Sequence, residues 1–106
     1  MKFSKNEGTY ILGCLEESME EALDQNEYNE FLNVKNKYET MCKEDMSCDY
    51  DFSNEELNIM TSSLIAQLQY LVKGENDFFD IEKIIDKIER EQAVMKKASK
   101  TEKIAV

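Results

Sequence analysis

The sequence predicts an all-α protein: a four-helix bundle made of two antiparallel helical hairpins. Three observations carry that prediction. Proline is absent and glycine occurs only three times in 106 residues, so little interrupts a helix. Apolar residues recur at steps of three and four along most of the chain. Two segments open with the reciprocal capping pattern of a helix start, "SKNE" at Ser4–Glu7 and "SNEE" at Ser53–Glu56.

The first helix is expected over residues 5–24. Leu12, Leu15, Met19, Ala22 and Leu23 fall on one face. Gly8 and Gly13 weaken its early turns, and the run "TYILGCL" at residues 9–15 also fits a short strand. The helix is preferred because the later half is strongly periodic. The second helix is expected over 27–43, with Tyr28, Phe31, Leu32, Tyr38, Met41 and Cys42 as its apolar face. The intervening "DQNEY" turn is short, so the two helices form an antiparallel hairpin.

The third helix, expected over 54–73, has the clearest pattern. Ser53 caps it and Glu56 reciprocates, while Phe52 and Leu57 flank the cap as a hydrophobic staple. Leu57, Met60, Leu64, Leu68 and Leu71 form one stripe, and Gly74 supplies a left-handed end. No charge lies between Glu56 and Lys73, in a chain that is 34% charged. Such a helix belongs at the centre of a bundle or at a subunit interface. Leu64, Ile65, Leu68 and Val72 are therefore expected to form a homodimer seam. The fourth helix is expected over 77–97, with Phe78, Ile81, Ile85, Ile88 and Met95 in heptad-like register and Gln92 as the polar member. Residues 1–97 read as one domain, and residues 98–106 as a flexible lysine-rich tail.

Charge is unevenly spread. The formal net charge is −10, yet residues 1–95 hold 22 acids against 9 bases, a balance of −13. That excludes non-specific nucleic-acid binding, which needs Lys and Arg to displace counterions. It equally disfavours an anionic membrane. The amino-terminal stretch has no signal-peptide core and no apolar run reaches membrane-spanning length, which points to a cytoplasmic protein with reduced thiols at Cys14, Cys42 and Cys48. Cys14 and Cys42 read as small core-facing residues.

Histidine is absent, which removes Ser-His and Cys-His catalysis. There is no glycine-rich phosphate loop, and three scattered cysteines do not make a zinc site. The chain is read as a non-enzyme without a cofactor. Two carboxylate patterns are the metal-binding alternative. Asp45, Ser47, Asp49, Asp51, Ser53 and Glu56 have the ligand spacing of a calcium helix–loop–helix, although Tyr50 stands where the turn needs glycine. Glu17 and Glu20 resemble the Glu-x-x-Glu half of an all-helical nucleotide pyrophosphatase magnesium site. The possible second halves, Asp77 with Asp80 and Asp86 with Glu89, fit that family's pattern poorly.

The same acids also read as a binding surface. Glu16, Glu20 and Asp24 recur every four residues, a rise of about 6 Å per step that approaches phosphate spacing along a strand. With Glu17 and Glu21, and with Asp45, Asp49 and Asp51 in an exposed linker, they form an expected docking face. Its partner would be a basic protein surface, such as that of a nucleic-acid-handling protein.

The helix "FSNEELNIMTSSLIAQLQYL" followed by "FFDIEKIIDKIE" resembles small acidic all-helical accessory proteins of low-GC bacteria and their phages. The resemblance spans residues 52–90 and contains no diagnostic motif. It implies a non-enzymatic binder, such as a stoichiometric inhibitor of a host or defence protein, and transfers no site residue; DNA mimicry is an expectation from the Glu16, Glu20 and Asp24 spacing alone.

Overall fold

The computed structural model describes residues 1–97 throughout and the backbone alone of residues 98–105. Four helices form the body: α1 (Lys5–Glu20), α2 (Gln25–Met41), α3 (Asn54–Leu68) and α4 (Asn76–Ala105). Two short strands, β1 (Lys2–Phe3) and β2 (Cys48–Asp49), pair antiparallel with Phe3 opposite Cys48. The expected four-helix bundle of two hairpins is the observed architecture. The lysine-rich tail expected at 98–106 lies outside the fully described residues.

Both capping boxes form as their spacing requires. Ser4 Oγ accepts from Glu7 N at 3.2 Å while Glu7 Oε1 accepts from Ser4 N at 2.8 Å. Ser53 and Glu56 repeat this at 3.1 and 2.7 Å. Each box satisfies two amide groups that a helix start leaves unpaired. Residues 9–15 are helix, and Ile11, Leu12, Cys14 and Leu15 are all buried.

The core joins Ile11, Leu15, Leu57, Met60, Leu64, Ile81, Ile84 and Ile88, each at most 1% exposed. Both α1 and α3 touch all three other helices, so α3 shares the central position expected for it alone. The same core continues into an aromatic group beside the strands. Tyr38 stacks on Phe52 at 5.8 Å, Phe3 packs on both, and Tyr50 meets Phe52 edge-on at 5.0 Å. Such ring pairs add to the burial energy.

Several expected boundaries move. Helix α1 ends at Glu20, and Leu23, expected on its apolar face, is 90% exposed. Asp24 explains the break: its side chain accepts from Glu27 N at 2.8 Å and starts α2 instead. Helix α3 ends at Leu68, five residues early, where Gln69, Tyr70 and Leu71 bond back to the third residue before each. Gly74 does adopt a positive φ, +101°, but within a turn closed by Glu75 N to Val72 O at 3.2 Å. The fourth stripe packs only as far as Ile88; Val94 and Met95 are exposed. Gln92 is polar because it donates to Asn58 Oδ1 at 2.6 Å and Asn54 Oδ1 at 3.1 Å, tying α4 to the first turns of α3.

Candidate functional site

The carboxyl half of α1 carries the acidic ridge. Glu16, Glu17, Glu20 and Glu21 are all exposed there. Lys35 Nζ reaches Glu16 at 3.6 Å but sits closer to Glu39, at 2.9 Å. Tyr70 donates to Glu21 Oε2 at 3.4 Å. Glu17 and Glu20 have no ion-pair partner among the described residues.

This placement works against helix stability in two ways. The last turn of α1 holds no basic residue, so the acids face the negative end of the helix dipole. Glu16 with Glu20, and Glu17 with Glu21, are like charges four apart. Each effect costs a few tenths of a kcal/mol, up to about 1 kcal/mol. Asp24 leaves the row, because it caps α2. The regular spacing from Glu16 through Glu20 to Asp24 therefore breaks at the helix end, and the phosphate-like register does not continue.

The expected acidic linker is instead a small β-hairpin. Lys43 N donates to Ser47 O at 2.8 Å and Met46 N to Lys43 O at 2.9 Å, which closes a three-residue loop. Met46 takes the left-handed conformation that such a loop needs, φ +71°. Asp45 accepts from Ser47 N at 3.0 Å and from Ser47 Oγ at 2.6 Å, which holds its carboxyl below the ordinary value. Asp51 pairs with the amino terminus at 2.9 Å. Asp49 is exposed on β2.

The calcium-ligand positions are thus dispersed among separate tasks. Asp45 and Ser47 form the turn, Asp49 lies in a strand, Asp51 holds the amino terminus, and Ser53 with Glu56 caps α3. Glu56 also pairs with Lys37 at 2.9 Å. Among the described residues no group of three or more Asp, Glu, Cys or His side chains is placed to hold a metal ion. Tyr50, at the position where calcium loops turn on glycine, covers Phe52 and lies under Lys37 at 5.1 Å.

The two halves of the magnesium pattern do approach each other. Glu17 and Asp77 line one cleft between α1 and α4. Tyr10 stands among them, donating to Asp77 at 2.6 Å and Asp80 at 3.3 Å. The hydrogen bond to Asp77 is the main reason its hydroxyl titrates well above the ordinary value. The two aspartates are held by a phenol, and nothing in the spacing of the carboxylates signalled it.

Ridge and hairpin lie at opposite ends of α1. The Met46 carbonyl packs against Gly8, and Glu20 is twelve residues further on, about 18 Å along the helix. One groove between α1 and the end of α2 joins them, lined by Leu12, Glu16, Glu39, Glu44 and Met46. Lys35 sits between Glu16 and Glu39 at one side of it, a cation the sequence did not mark.

The proposed dimer seam divides. Leu64 is fully buried in the core and belongs to the monomer. Ile65 and Val72 are exposed, at 47% and 65%, and Leu68 is half-buried. Ile65 and Leu68 share a groove with Phe79 and Ile85 of α4. Cys48, expected in an exposed linker, is 3% exposed because β2 turns it inward. Burial likewise pushes the Cys14 thiol up to about 11.

Comparison with protein-family models, with curated proteins and with solved structures finds no match to this chain. Fold and surface define its class: an acidic, all-α helical bundle with a negative ridge at one helix end. No described helix is long and apolar enough to cross a membrane.

Proposed function

We propose that this protein is a non-enzymatic binding module that engages a basic protein surface through the acidic end of α1. One observation supports the reading above others. Glu16, Glu17, Glu20 and Glu21 crowd the negative pole of a helix with no basic residue in its last turn. That arrangement costs fold stability, and a surface serving solubility alone is better served by interspersed charge. A basic partner relieves the repulsion on binding, so the unfavourable local field becomes part of the affinity. The resemblance to accessory proteins of low-GC bacteria and phages favours stoichiometric inhibition of a nucleic-acid-handling or defence protein. The reading takes the protein as cytoplasmic, which its three free thiols suit.

Homodimerisation through Ile65, Leu68 and Val72, with Phe79 beside them, is part of the proposal. These residues put an apolar surface beside the core.

The test is affinity capture from a host lysate, followed by reconstitution of the pair from purified proteins. Glu17→Lys with Glu20→Lys should weaken binding at least tenfold, and rising salt should weaken the unmodified complex. The matched charge change Glu30→Lys with Glu55→Lys, at exposed sites on α2 and α3, should leave binding within about twofold. Equal effects from both pairs, or a complex indifferent to salt, would overturn the acidic-ridge reading. Light scattering of Ile65→Glu tests the dimer.

A further inference from the structure

Cys42 and Cys48 stand directly opposite each other. They form an antiparallel bridge at the mouth of the Glu44–Met46 loop. The Lys43 N to Ser47 O bond lies one residue inside them, so Cys42 and Cys48 are a pair without mutual hydrogen bonds. In such pairs the Cα atoms are about 4.5 Å apart, within the roughly 4.4–6.8 Å that a disulfide spans. Opposed residues of a bridge project to the same side of the ladder. Here that side is the core: Cys48 is buried in it and Cys42 packs against it. The two thiols therefore share one face at a separation a disulfide accommodates. Cys14, the third thiol, is buried elsewhere, on α1 beside Glu17.

We propose that Cys42 and Cys48 are a redox pair that forms an intramolecular disulfide, stapling the end of α2 to β2. Cys42 is the thiol that a small oxidant reaches, because it is only partly buried. Its Sγ now points at the Glu39 carbonyl, 3.5 Å away, and a side-chain rotation releases that contact. Cys48 is the resolving thiol. Burial, with Cys42 and Asp49 nearby, raises its titration point and keeps it unreactive alone. The oxidant is a low-molecular-weight disulfide. The Cys42 thiolate attacks one of its sulfurs, forming a mixed disulfide and expelling one small thiolate. The Cys48 thiolate then attacks the Cys42 sulfur, forming the protein disulfide and expelling the second. Two protein thiols are oxidised, one small disulfide is reduced to two thiols, and these take up the two protons.

The bond fixes the loop that borders the groove of Glu16, Glu39 and Glu44. It closes only residues 42–48, and the present fold already holds both cysteines in register. Oxidation therefore raises stability without rearranging the bundle.

The test is incubation of the full-length protein with oxidised glutathione, followed by peptide mapping and thermal melting. The expected product is a Cys42–Cys48 cross-link within a single chain, with no disulfide between chains, an alkylatable Cys14 and a raised melting temperature. Cys48→Ser should stop at a glutathione adduct on Cys42, and Cys42→Ser should show neither cross-link nor melting shift. A cross-link involving Cys14, a disulfide between chains, a lasting adduct on Cys42 of the unmodified protein, or a cross-link that lowers the melting temperature would each overturn the proposal. So would full resistance of all three thiols.

Discussion

The Tyr38 hydroxyl donates to the Met46 carbonyl at 2.9 Å, and both atoms press against Gly8 of α1. One contact thus joins α2, the hairpin loop and the first helix. Burial, the largest cause, with the nearby thiols and carboxylates, drives the Tyr38 hydroxyl well above its ordinary titration range, so it remains a donor at neutral pH. Tyr38→Phe leaves the Met46 carbonyl without its donor while keeping the ring stack. We expect a loss of about 1–2 kcal/mol, measured by urea denaturation.

The two glycines of α1 should respond in opposite directions. A Cβ on Gly8 would lie 2.0 Å from the Met46 carbonyl oxygen and 2.6 Å from the Tyr38 hydroxyl. Gly8→Ala must push the hairpin off α1 and should cost about 2 kcal/mol or more despite alanine's better helix propensity. Gly13 has nothing within 4 Å of the same position. Gly13→Ala should stabilise by about 0.5–1 kcal/mol. Chemical denaturation of the two variants side by side checks both signs.

Glu56 gives a pH dependence. Partial burial alone would raise its carboxyl, but the hydrogen bond with Lys37 and those with Ser53 outweigh burial and hold it below 4.5. Its ionic contribution is therefore complete above that value and disappears as the pH falls through the lower folded-state value. Glu56→Gln keeps an acceptor for the cap and loses the charge. It should cost about 0.5–1 kcal/mol at neutral pH, with the difference from the parent closing as the pH falls below the carboxylate range. Equilibrium unfolding across an acid series reads this directly.

The ridge predicts a gain of stability where a binding residue is lost. Glu20→Lys replaces an acid in the last turn of α1 and turns the Glu16–Glu20 repulsion into an attraction. It should stabilise the isolated protein by about 0.5 kcal/mol at low salt, less at high salt, while weakening the partner complex. A destabilised variant would show that the ridge is held by contacts on which the fold depends.

The helices and their starts were legible in the sequence because they are local. A serine and a glutamate three residues apart satisfy each other's backbone wherever the chain goes, and steps of three and four in Leu57, Met60 and Leu64 specify one buried face. Ends were less legible. Leu23 and Leu71 continue the apolar spacing, but Asp24 capped a new helix and the chain beyond Leu68 tightened into turns, outcomes that depend on neighbours.

The segment from Glu44 to Asp51 is where tertiary structure decided most. Its composition allowed a calcium loop or a solvated linker. The fold makes it a hairpin because β1 pairs with β2, Tyr38 and Gly8 grip the Met46 carbonyl, and Phe52 completes an aromatic cluster with residues up to 49 positions away in sequence. The sequence by itself determined an acidic helical bundle, since helix periodicity, caps and net charge are properties of short stretches and of sums. That Asp51 holds the amino terminus, that Tyr10 holds Asp77, and that the chain around Met46 folds back so that Cys42 faces Cys48, were decided only by tertiary packing, because each depends on contacts that no local pattern of residues signals.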